Sequence, residues 1–100
     1  MAKQSLVITR VKRGVKLLTE HGYDLCSVDK EALNLQSTST CVLGQLHGGS
    51  YFSGKMQLML SSRQVQTHGF EADAKSDIGY GDLTTAWRDM LETLCPSPAQ

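Results

Sequence analysis

The residues that most constrain this chain lie close to its end. Leu83, Ala86, Trp87, Met90, Leu91 and Leu94 fall at i, i+3, i+4, i+7, i+8 and i+11, the spacing of an amphipathic helix with one apolar face. Cys95-Pro96-Ser97-Pro98 halts it, because proline cannot continue the backbone hydrogen-bond ladder. Asp82 or Ser76 is the candidate cap, depending on whether Gly79 and Gly81 are helical.

Related spacing recurs upstream. Val7, Val11, Val15 and Leu18 share one face of a helix from about Leu6 to His21, with Thr9 as a candidate N-cap and Gly22 as its stop. The opening Leu6-Val7-Ile8-Thr9 also reads as a short strand. Ser27 caps an expected short helix over Val28 to Leu33, with Leu25, Val28, Leu33 and Leu35 turned inward. Ser37 to Thr40 leads into a helix over Cys41 to His47 that stops at Gly48-Gly49, and Gly44 leaves room for another helix. Tyr51 to Leu60 fits two periods and is assigned to helix. Ser61-Ser62 caps Arg63 to His68, Gly69 ends that helix, and Phe70 folds back as a plug. Glu71 to Gly81 is an acidic loop. The expected fold is mainly α: a compact single domain over residues 1–95, four or five short helices, a possible N-terminal strand, and a flexible tail at 96–100.

Composition narrows the function classes. A chain of 100 residues with 40% hydrophobic content supports one core and is too apolar for a disordered regulator. Ten Lys/Arg balance ten Asp/Glu, which argues against a globally basic nucleic-acid binder and against an acidic mimic of nucleic acid. No apolar run approaches the roughly 18 residues of a membrane helix, and the N-terminus lacks the apolar centre of a secretion signal. Cys26, Cys41 and Cys95 are odd in number and widely spaced, so they read as three free thiols in a reducing, cytoplasmic setting. His21 with Cys26, and Cys41 with His47, lack the close pairing of zinc knuckles, so no metal is expected.

Catalytic signatures are missing as well. The chain has no G-x-S-x-G elbow, no H-E-x-x-H and no clustered carboxylate pair. It has no phosphate-cradling glycine loop, so no catalytic residue and no cofactor is expected. A Cys41 thiol activated at a helix start is the one enzymatic version available, and a small buried hydrophobe is its plainer reading. His47 and His68 precede glycines at helix ends, where an imidazole can bond free carbonyls. Asp73, Asp77 and Asp82 read as a solvated acidic surface.

Charge placement carries more information than charge total. Residues 1–19 hold Lys3, Arg10, Lys12, Arg13 and Lys16 with no acid, a net +5. Residues 70–100 hold six acids against Lys75 and Arg88, a net −4. Pairing between the first and last helices, an acidic or nucleic-acid partner, and self-association each account for this layout. Candidate contacts are Arg10, Lys12, Arg13 and Lys16 on the first helix, together with Met56 and Met59, since methionines adapt to irregular partners when exposed and fill cores otherwise. A helix-turn-helix reading would use Arg63, Gln64 and Gln66, although the turn before them lacks its usual signals.

Three blocks in order, Cys41-Val42-Leu43-Gly44-Gln45-Leu46, Gly69-Phe70-Glu71-Ala72 and Leu83-Thr84-Thr85-Ala86-Trp87-Arg88, preceded by Gly14-Val15-Lys16-Leu17-Leu18, resemble a group of small proteins of unknown function carried by actinobacteria and their bacteriophages, including mycobacteriophages. The resemblance covers roughly Gly14 to Glu92, and it departs at Gly79, Gly81 and the tail. It implies a phage or host origin and action in the bacterial cytoplasm, and it supplies no reaction. The function expected from all of this is non-enzymatic binding to a host or phage protein, with possible homo-oligomers and no membrane. The alternative is a small DNA-binding regulator using the basic first helix.

Overall fold

The computed structural model describes residues 2–95. Among them are five α-helices: α1 (Ala2–Glu20), α2 (Val42–Leu46), α3 (Tyr51–Gln57), α4 (Ser62–Thr67) and α5 (Tyr80–Leu94). Short 3-10 turns occupy Leu25–Ser27 and Ala74–Ser76. The described residues contain no strand beyond one isolated antiparallel bridge between Asp73 and Ile78. Leu6 to Thr9 therefore belong to α1, and Thr9 is an exposed mid-helix residue rather than its cap. The apolar period at Val7, Val11 and Leu18 wins over the local strand propensity, because it lets one continuous face be buried. The expected tail at 96–100 lies outside the described residues.

Four of the five helices end alike. At the end of α1, Gly22 (φ 83°) donates its N–H to the Thr19 carbonyl, and Tyr23 donates to the Leu18 carbonyl, both at 3.0 Å. This is the Schellman pattern, in which a left-handed residue satisfies the last free carbonyls. At the end of α4, Gly69 (φ 76°) donates to Gln66 and Phe70 to Val65. Gly48 (φ 66°) takes the left-handed place after α2, with Gly49 donating to Gly44 at 2.7 Å. After α3 the place belongs to Met59 (φ 56°): its N–H reaches Met56, and that of Leu60 reaches Lys55, both at 3.0 Å.

Trp87 is the centre of the core, fully buried and stacked on Phe70 with ring centroids 5.7 Å apart. Its indole Nε1 donates to the Gly69 carbonyl at 2.7 Å, so the one polar atom of the side chain is satisfied. Gly14 brings α1 against this stack: a Cβ there would lie 2.4 Å from the His68 carbonyl oxygen and 2.7 Å from the indole ring. Phe70 is thus the plug that the sequence implies, held by the turn that Gly69 makes. Radius of gyration is 12.6 Å, close to the ~13 Å of a 100-residue globule.

Four expectations are corrected. No helix follows Ser27; Val28 to Thr40 is irregular, because the Asp29 carboxylate accepts from the backbone N–H groups of Glu31 and Ala32 and so competes with helical bonding. Its inward residues Leu25, Val28, Leu33 and Leu35 are nevertheless all buried. Arg88 holds the segment against α5, donating to the Lys30 and Leu33 carbonyls, both at 3.0 Å. Gly44 admits the Thr38–Ser39 backbone, 2.4 Å from where a Cβ would stand, rather than another helix. Gly79 is the N-cap of α5, and Asp82 accepts its N–H at 2.9 Å from three residues inside.

The fourth concerns the cysteines. Cys26 and Cys95 form a disulfide across 69 residues of sequence, with Cα atoms 5.5 Å apart, and Cys41 alone is free. Wide spacing misleads here because the 3-10 turn at Leu25–Ser27 packs beside the end of α5.

Candidate interaction surface

The short helix α3 separates its two faces sharply. Ser50 caps it, its hydroxyl accepting from the Ser53 N–H at 3.1 Å. Tyr51 and Gly54 turn inward, and Leu58 follows just past the last turn. A Cβ on Gly54 would sit 2.9 Å from the His47 ring and 3.0 Å from the Leu43 Cβ, so glycine lets α3 lie tightly on α2. The Tyr51 hydroxyl donates to Glu71, which anchors the inner face to the chain beyond α4. Burial, and then this carboxylate, push the Tyr51 phenol far above its ordinary range, so it stays a proton donor.

The outer face is apolar and bare. Phe52 and Met56 stand one turn apart on it, Met59 follows at the left-handed residue past its end, and the three are 62%, 77% and 86% exposed. They are three of the five large hydrophobic residues exposed among the described residues. Met56 and Met59 were legible from sequence. Phe52 is missing from the sequence-derived contacts, although its one-turn spacing to Met56 carries the signal.

Met59 adds a second observation. The other three left-handed helix ends use glycine, which adopts that conformation without a steric cost. Methionine there costs about 1 kcal/mol, and the side chain gains almost no burial in return.

The basic group on α1 does not form one surface. Lys12, Arg13 and Lys16 are exposed, and Arg13 donates to the Thr67 carbonyl at 3.4 Å. Arg10 is only 4% exposed, so contrary to expectation it offers a partner no contact. It points inward because it stands three residues from Val7 and next to Val11, on the buried face. Its guanidinium donates to the Asp73 carboxylate at 2.8 Å and to the Ser76 hydroxyl at 3.4 Å, while its Nε is buried without a hydrogen-bond partner. Arg63 also reaches Asp73, at 3.2 Å. Asp73 is therefore a buried, doubly paired anion and no part of a solvated acidic surface. The Arg10 bond, supported by Arg63 and Ser76 against the opposing effect of burial, holds its pKa at about 2. Lys3 pairs with Asp82 at 3.3 Å and with Asp77 at 3.8 Å, so part of the end-to-end charge asymmetry is spent within the fold.

The residues that a recognition helix would aim at bases are occupied. Arg63 bonds Asp73 and Gln66, the Gln64 side chain accepts the Ser61 N–H, and Gln66 also donates to the Ala72 carbonyl. Cys41 is buried as the N-cap of α2, its sulfur accepting the Gly44 N–H at 3.2 Å, and burial pushes its thiol pKa up. That is opposite to what a thiolate nucleophile needs. His68 bonds the Gln64 carbonyl as its position implies, while the His47 ring pairs with the Tyr23 hydroxyl.

No helix among the described residues is long and apolar enough to cross a membrane. Comparison with protein-family models, with curated proteins and with solved structures finds no match.

Proposed function

We propose that this protein acts without catalysis, by binding another protein, and that the Phe52–Met56–Met59 row is its contact. The carrying observation is Met59: a left-handed position filled by glycine at three other helix ends is held at a cost by the most exposed large hydrophobic side chain. Two side chains projecting from one helix face and a third from the turn that ends the helix suit insertion into an apolar groove of the partner. The resemblance to actinobacterial and phage proteins points the search to a host factor. The Cys26–Cys95 bond favours a place of work where disulfides persist, and so weighs against the cytoplasm.

Met59→Gly separates the roles of fold and contact. It is expected to stabilise the protein by about 1 kcal/mol in chemical denaturation. Together with Phe52→Ser and Met56→Ser, it is expected to cut partner recovery about tenfold or more. The measurement is capture from nuclease-treated actinobacterial cytosol, envelope and medium without reductant, comparing wild type with the triple variant. A partner retained equally by both would remove α3 from the interface. Recovery seen only in a parallel capture without nuclease would instead favour the DNA-binding reading, which now rests on Lys12, Arg13 and Lys16.

A further inference from the structure

A second apolar strip lies between α1 and α5. α1 and α5 run side by side in the same direction, since Lys3 near the start of one pairs with Asp82 near the start of the other. Between them is an open groove of about 310 Å³, whose floor is Ile8, Ala86 and Met90. Ile8 is exposed, and Leu94, one turn beyond Met90 on α5, is exposed too. Lys12 stands on the α1 bank and Asp89 on the α5 bank. Among the described residues neither has an ion partner within the chain.

We infer that this groove is the contact between two copies of the chain, related by a two-fold axis running along it. Such an axis lays α1 of one copy on α5 of the other. Because α1 and α5 are parallel, Lys12 of each copy then meets Asp89 of the other at the same height, and Ile8 meets Ala86 and Met90. A patch with a cation on one bank, an anion on the other and an apolar floor is complementary to itself in this arrangement. Burial of the floor drives association, and the two symmetry-related ion pairs fix the register. The surface is separate from the α3 row, so a dimer presents two such rows.

Sedimentation velocity of the full chain from micromolar to about millimolar concentration tests this. A monomer–dimer equilibrium is expected. Lys12→Glu or Asp89→Lys alone should weaken it about tenfold or more, and the two together should restore it. Circular dichroism of each variant should match wild type, because both side chains are exposed. A wild type that remains monomeric throughout overturns the inference. So does a dimer indifferent to both single reversals, or growth past the dimer, which marks a head-to-tail contact.

Discussion

Reduction of the Cys26–Cys95 bond is expected to destabilise the fold by about 4 kcal/mol, the loop-closure entropy released to an unfolded chain when a ring of roughly 70 residues opens. For a domain of this size that lowers the melting temperature by roughly 15 °C or more. Other contacts join the same two segments. Lys30 donates to the Cys95 carbonyl at 2.9 Å and pairs with Glu92 at 3.4 Å, and Arg88 pins the neighbouring backbone. The reduced protein should therefore keep its helical spectrum at low temperature while melting earlier. A Cys26→Ser/Cys95→Ser variant should melt like reduced wild type and ignore reductant. A wild-type melting curve unmoved by reductant would show that the bond contributes nothing.

Replacing Arg10 with methionine is expected to cost about 3–5 kcal/mol. The loss arises less from the pair's own strength than from leaving its partner buried with insufficient compensation. Arg63 and Ser76 still reach Asp73, but Arg63 lies largely in solvent. Acid titration supplies an independent readout. Asp73 has its pKa depressed from 3.8 to about 2, so its contribution is complete above pH 4 and disappears as pH falls through 2. Without Arg10 the largest lowering cause is gone and burial still raises the pKa, so the acid-unfolding limb should move to higher pH. An Arg10→Met protein with a loss below about 1 kcal/mol and an unchanged acid limb would contradict this account.

Local periodicity revealed what local periodicity controls. α5, α4, the stop at Gly22 and the Phe70 plug follow from spacings of three or four residues and from glycine's conformational freedom, all readable over a single turn. The segment from Val28 to Thr40 resisted because side chains elsewhere, chiefly Arg88 and Gln45, satisfy its backbone. Arg10 resisted for a related reason: its charge suggested solvent, and its neutralising partner lies 63 residues away. The disulfide depends on two ends meeting, which no spacing encodes. The candidate surface stood between these cases. The methionines were visible, but the strain at Met59 was not, because sequence alone marks left-handed turns by their glycines.

The Cys26–Cys95 link also decides how the molecule bears load. A pull applied between residues 2 and 95 passes along α1 to Cys26 and crosses directly to Cys95, leaving everything between them slack. Fully stretched, the oxidised chain spans only about 90 Å, against about 320 Å once the link is cut. Nearly three quarters of its length, α3 and its exposed row included, thus never carries the pulling force directly, and loses its fold under load only through the removal of α1 from the shared core.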